Sequence, residues 1–251
     1  MDGTNITAVV VGCGGIGYHL AEPLLRMLLP QPDARLYLID GKAVRTRNLA
    51  RQFELSDIGE NKAKALAARI SRIKDPASTV RVIPIDQYLE DGALFEFHKE
   101  WFFNENTVVF SGVDSKASRV VFEELFQDRK FTGTFISAGN DEIDGQVACC
   151  QFVRGVPQGP MPSEIDPDLL INDGRMPSQI PCDEAVVSEP QHVLGNLGAA
   201  ITMLGFWYSQ FLNTPADNRR FNYAHFNMKT PEVFPSNRKA LSMTTRGDFG
   251  S

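Results

Sequence analysis

Cysteine is scarce in this chain, basic charge is outnumbered, and long apolar runs are nearly absent. Four cysteines occur in 251 residues, and Cys13, Cys149, Cys150 and Cys182 include no CxxC pair. That spacing argues against a four-thiolate zinc site, and so few thiols make no disulfide framework. No basic-then-apolar leader opens the sequence, so the expectation is a reducing cytoplasm. Lys and Arg number 25 against 31 Asp and Glu, a net charge of −6. A nucleic-acid scaffold favours a strongly basic face, so no nucleic-acid partner is expected. The one apolar stretch of near-spanning length, Val193 to Leu212, carries Asn196, Gln210 and three glycines. It is expected to be a buried amphipathic helix, with no membrane association.

What is present reads as an α/β protein. Ala8-Val9-Val10-Val11 has the apolar, β-branched character of a buried parallel strand. It runs into Gly12-Cys13-Gly14-Gly15-Ile16-Gly17, then a helical pattern through Leu20, Leu24, Leu25 and Leu28 that Pro30 and Pro32 end. A second strand, Leu36 to Ile39, closes on Asp40. Further along, Lys62 to about Ile73 reads as helix, Val80 to Ile85 as a strand kept to an edge or end by Pro84, and Leu89 to Phe103 as helix. Val108 to Phe110 is a strand followed by a helix from Ser118 to about Phe126, and Phe131 to Ala138 and Gly145 to Val153 are strands. The predicted fold is a Rossmann-like, doubly wound and mostly parallel sheet forming one domain. Residues 1–153 make its nucleotide-binding core, 154–191 a proline-rich crossover loop, and 192–251 a helix, one or two short strands near Tyr223 to Met228, and a polar tail.

Three polar features stand around this frame. Glycines allow close approach to a phosphate at a helix start, and Asp40 at the end of the second strand can accept ribose hydroxyls. On their own these mean only a nucleotide, with NAD the commonest ligand; GxGG departs mildly from the dehydrogenase pattern. Asn48-Leu49-Ala50-Arg51-Gln52 and then Lys62 add two cations that a dehydrogenase does not need. Phosphoryl transfer does need them, because charge builds on the phosphates. Arg51 supplies a planar fork, Lys62 a point charge, and Asn48 and Gln52 can fix the fork or the ribose. Asp114, just past the strand Val108 to Phe110, suits a magnesium ligand or a helix N-cap, and both roles are compatible.

Taken in order, Gly12-x-Gly14-Gly15-x-Gly17, Asp40, Asn48-x-x-Arg51-Gln52, Asp57-x-Gly59, Lys62 and Asp114 resemble the adenylation domain of ubiquitin-activating enzymes. They are equally similar to the ThiF-type adenylyltransferases of thiamine and molybdenum-cofactor biosynthesis. The resemblance covers about residues 6 to 212 and includes Gly145-Gln146. It implies that Gly12, Gly14, Gly15, Gly17 and Asp40 hold the adenosine side of ATP. It implies also that Asn48, Arg51, Gln52 and Lys62 bind and polarise the phosphates, and that Asp114 holds Mg2+. The implied reaction is activation of the C-terminal glycine carboxylate of a small ubiquitin-like protein as an acyl-adenylate.

Three departures shape the expectations. The zinc-binding CxxC pairs of many relatives are missing, so no zinc is expected. No arginine precedes Arg26, so the N-terminal arginine that relatives reach into a partner subunit is expected from elsewhere. No separate catalytic-cysteine domain is expected. Size and these absences resemble the short operon- or plasmid-encoded bacterial members, such as the ThiF-type member of the PRTRC system, whose neighbours include conjugating-enzyme-like proteins. Cys182 falls where some relatives keep a thioester-forming cysteine, yet Asp183 and Glu184 would raise its pKa, so a bystander role stays open. The small residues of the 193–212 helix suit either a homodimer interface or an intrachain core. Rival readings are an NAD-dependent oxidoreductase or nucleotide sensor, a non-catalytic scaffold half of an activating complex, and adenylation of a small molecule or tRNA base.

Overall fold

The structure, a computed structural model, describes residues 5–89, 106–113, 116–128, 130–165, 192–212 and 221–239. In chain order come β1 (Thr7–Val11), α1 (Gly15–Leu28), β2 (Arg35–Ile39), α2 (Lys62–Ser71), β3 (Arg81–Ile85), β4 (Thr107–Ser111) and α3 (Lys116–Asp128). They are followed by β5 (Gly133–Asn140), β6 (Asp144–Val153), β7 (Val156–Pro157), α4 (Pro162–Ile165), α5 (Val193–Phe206), β8 (Tyr223–Asn227) and β9 (Glu232–Ser236). The helix expected over Leu89 to Phe103 lies almost wholly outside the described residues.

One nine-stranded sheet holds these strands in the order β3-β2-β1-β4-β5-β6-β8-β9, with β7 paired to β6. Strands β1 to β5 run parallel to one another, and β6, β8 and β9 continue the sheet from β5 in antiparallel pairs. The expected mostly parallel, doubly wound sheet is therefore present, extended by an antiparallel wing. Pro84 lies in β3, the edge strand, where a missing N–H costs no ladder bond on the outer side.

Alternation along the strands divides the core between two faces. Ala8 and Val10 of β1 join Leu36, Leu38 and Phe110 under Leu20, Leu24 and Leu28 of α1, Leu66 and Ile70 of α2, and Met203 and Phe206 of α5. Val9 and Val11 join Tyr37, Ile39 and Val109 with Phe122 and Phe126 of α3, and with Phe131, Phe135 and Phe152. Phe126 meets Phe131 at 4.5 Å and Phe135 at 5.1 Å between ring centroids. Such pairs add about 0.5–1.5 kcal/mol each beyond burial. Both faces of the parallel strands are thus covered, which is why their sequences are apolar runs.

The 193–212 stretch is a helix over Val193–Phe206 that loosens into a π-helical turn, Trp207–Leu212. Trp207 packs edge-on against Phe110 at 5.9 Å, and no helix among the described residues is long and apolar enough to cross a membrane.

Candidate functional site

The strand order reverses direction at β1, whose neighbours are β2 on one side and β4 on the other. In open α/β sheets the crevice beyond the carboxyl ends of strands at that point is the ligand site. Here it is a cleft with an empty volume of about 870 Å³, part of it open to solvent.

Its floor is the glycine turn. Gly12 takes φ +84°, a conformation that side chains rarely adopt, and its N–H donates to the Ile39 carbonyl at 2.9 Å. A Cβ on Gly17 would stand 1.9 Å from the Gly12 carbonyl oxygen, so a tight return of α1 onto the turn demands glycine. Gly14, the N-cap of α1, has nothing within 4 Å of where a Cβ would be. No side chain caps this helix, so its first N–H groups and its positive dipole end face the cleft.

Asp40 closes the turn. One carboxylate oxygen accepts the Cys13 N–H at 2.8 Å and the other the Lys42 N–H at 2.7 Å. Burial raises its pKa, an effect opposed by the Lys62 charge and by these bonds. Lys62 begins α2 and is 9% exposed. It is placed by its neighbour Asn61, whose Oδ1 accepts from the Ala63 and Lys64 N–H groups at 2.9 and 3.2 Å. The Asn61 amide nitrogen donates to the Asp40 carbonyl at 2.7 Å and to Asp86 at 2.6 Å, tying the start of α2 to the ends of β2 and β3. Lys62 and Asp40 therefore face the same cleft for a reason of local capping.

The cleft has both apolar and polar lining. Ile39, Leu89, Val113 and Phe122 make an apolar slot, while Asp40, Lys42, Lys62, Arg119 and Asn140 supply polarity. Among the described lining residues Asp40 is the one carboxylate.

Gly12, Gly14, Gly15, Asp40 and Lys62 all line the cleft, and Gly17 lies under it. Asn48, Arg51 and Gln52 belong to the turn that follows Lys42 and are not among the described lining residues. Asn48 accepts the Arg45 N–H at 2.9 Å, and the Arg51 N–H donates to the Asn48 carbonyl. Gln52 is 7% exposed, and its side-chain oxygen has no partner among the described residues. Asp114 and Cys182 lie outside the described residues, while Cys13, Cys149 and Cys150 are buried free thiols. Burial pushes the Cys13 thiol well up and the Cys150 thiol to about 12, which suits packing rather than reactivity.

Several residues escaped the sequence reading. Arg119 is 8% exposed, and its Nε and one terminal nitrogen donate to the Val113 carbonyl at 3.2 and 3.0 Å. Its signal was periodicity, since it stands three and seven residues before Phe122 and Phe126 on the buried stripe of α3. Asn61 could have been found as an N-cap immediately before a helical run. Asn196 on α5 is fully buried, and neither its oxygen nor its nitrogen has a partner among the described residues. Its amide stands over Gly15, where a Cβ would lie 2.5 Å away; only tertiary packing reveals that.

The ThiF family profile matches residues 4–239. Over 85 residues the chain is 33% identical to the ATP-dependent ubiquitin transferase-like protein Cap2 of Pseudomonas aeruginosa, covering 34% of this chain and 15% of that protein. Over 83 residues it is 39% identical to the adenylyltransferase and sulfurtransferase MOCS3 of Danio rerio, covering 32% of this chain and 17% of that protein. These matches span less than a fifth of either relative. The crystal structure of E. coli MccB with ATP superposes with a TM-score of 0.60 at 16% identity, over 95% of this chain and 65% of that one.

Proposed function

The chain belongs to the ThiF family, and from that premise we propose that it is an ATP-dependent adenylyltransferase acting on the C-terminal glycine carboxylate of a small ubiquitin-like protein. The observation that carries the reading is Lys62: a buried cation set by an N-cap, facing the same cleft as an uncapped helix N-terminus and an apolar slot. An NAD-dependent enzyme has no use for a lysine at that place.

In the proposed reaction the acceptor carboxylate oxygen forms a bond to the α-phosphorus, the bond from that phosphorus to the β-phosphate oxygen breaks, and pyrophosphate leaves with the bonding electrons. No base is required, because the carboxylate is ionised at neutral pH. The N–H groups at the start of α1 and the Lys62 ammonium stabilise charge on the phosphates, while Asp40 orients the ribose. Arg51, with Asn48 and Gln52, extends this support from the adjoining turn. Magnesium arriving with the triphosphate would neutralise part of its charge, with Asp114 offered as its protein ligand.

Isothermal titration should show Mg-ATP binding and a markedly weaker response to NAD. ATP–pyrophosphate exchange, driven by ubiquitin-like proteins ending in glycine, should fall about 100- to 1,000-fold in Lys62→Ala. Tighter binding of NAD than of Mg-ATP would sink the proposal. Exchange that is undiminished in Asp114→Ala would remove the magnesium role.

The finer partners belong to the same reading. Leu194 and Ile201 on α5 are 43% and 65% exposed, seven residues apart on a helix without a charged side chain. That spacing suits a like helix, and a second copy is the proposed occupant. Light scattering should give a dimer mass that Ile201→Glu reduces to a monomer; a monomeric wild type would exclude it.

A further inference from the structure

Asn196 stands on the first turn of α5 with no exposed surface, and neither its side-chain oxygen nor its nitrogen has a partner among the described residues. A buried donor or acceptor left unmade costs about 1–3 kcal/mol, so an apolar side chain would serve packing better at this place. The usual work of an asparagine near a helix start is already done, because His192 caps α5 by accepting the Leu194 N–H at 3.1 Å. The amide is therefore held at a cost that α5 itself does not recover.

What the amide faces is the start of α1. The three atoms nearest to a Cβ placed on Gly15 all belong to the Asn196 carboxamide, at 2.5 to 2.6 Å. Gly15 is the first residue of α1 and lines the cleft, and no side chain caps that helix. One residue without a side chain thus touches both the orphaned amide and the place where α1 offers its free N–H groups. Beside it, Gly195 brings the same turn of α5 against Asn140, another lining residue, whose side-chain nitrogen would be 2.9 Å from a Cβ there. The first turn of α5 is packed against two residues of the cleft wall.

Asp40, which the adenylation reading gives to the ribose, accepts the Cys13 N–H at 2.8 Å and so sits beside the glycine turn. The phosphate joined to that ribose is the one that the start of α1 can reach. We propose that Asn196 is a further ligand of this α-phosphate: on binding, its carboxamide turns past Gly15 and donates its side-chain nitrogen to a phosphate oxygen. The inference rests on the adenylation reading and adds to it a neutral donor at the phosphorus that is attacked. A carboxamide nitrogen has two N–H groups to give to the charge that builds there. Glycine at position 15 is what leaves room for the movement, since a Cβ would block the amide where it stands.

The test measures equilibrium binding of adenosine, AMP and Mg-ATP to the full chain. In Asn196→Ala the affinities for AMP and for Mg-ATP should fall together by about 10- to 100-fold, the worth of a hydrogen bond to a charged group, while adenosine binding stays as it is. Asn196→Leu, which keeps the branched shape without the donor, should repeat the pattern and carries the test if the alanine variant does not fold. In NMR spectra of isotopically labelled protein, the side-chain amide pair that Asn196→Ala lacks should shift when AMP is added and stay in place with adenosine. Equal losses for all three ligands, an undiminished AMP affinity, or an amide pair that AMP leaves unmoved overturns the role of Asn196 alone. A wild type that binds AMP and Mg-ATP no better than adenosine holds no phosphate at the start of α1, and overturns the adenylation reading and this inference together.

Discussion

Strands β1 and β4 bury every residue they have, whereas β9 exposes four of its five, with Val233 at 49% and Phe234 at 53%. Both belong to one sheet, but they are stabilised differently. The parallel strands are sandwiched between helices, so each side chain has lost water on whichever face it points to. β9 holds its place through ladder bonds to β8, with little of its side-chain surface removed from solvent, whereas β8 between it and β6 still buries Tyr223, Ala224 and Phe226. The cleft lies in the heavily packed half.

Substitutions of like residues across the boundary should expose the contrast. Phe110 is fully buried in β4 against Trp207, and Phe110→Ala should cost about 3–5 kcal/mol in chemical denaturation. A loss below about 1 kcal/mol would mean that the parallel half is not the stable one.

Glu123 probes the seam between the regions. It sits on α3 beneath the sheet, 2% exposed, and accepts the Ser163 N–H at 3.0 Å and the Ser163 hydroxyl, anchoring α4 at the root of the crossover. Burial raises its pKa from 4.5 to about 7. Between those values the folded state binds more protons than the unfolded one, so stability falls as pH rises through this window. Glu123→Gln should therefore gain up to about 3 kcal/mol over wild type at pH 8 and almost nothing at pH 4. Parallel stability curves for the two proteins from pH 4 to 8 would refute it.

At the far edge, Phe234→Ser should change stability by less than about 0.5 kcal/mol. A larger loss would show that β9 is covered by a partner and is no free edge.

The same contrast explains what could be read in advance. β1, the glycine turn, α1 and β2 announce themselves because burial on both faces demands apolar runs and the turn demands glycine. The edge placement of β3 followed from Pro84 alone. Pro23 was a harder case, since it lies inside α1 without ending the helix. β9, with Pro235 and no apolar alternation, offers no pattern, because its position depends on pairing with β8 and on no core of its own. That Lys62 and Asp40 line one cleft was legible through spacing. Arg119 and Asn196 were not, because each matters through a contact distant in sequence, with Gly139 and Gly15 respectively.

The burial of Cys13 in the glycine turn and of Cys149 and Cys150 in β6 turns the chain into its own chemical reporter. An alkylating reagent applied to the native protein has one cysteine left to discriminate, Cys182 in the crossover. Modification of a single site under native conditions would measure how that segment presents its thiol, before and after nucleotide is added. Capture of Cys149 and Cys150 would time the opening of the sheet, and capture of Cys13 the opening of the glycine turn.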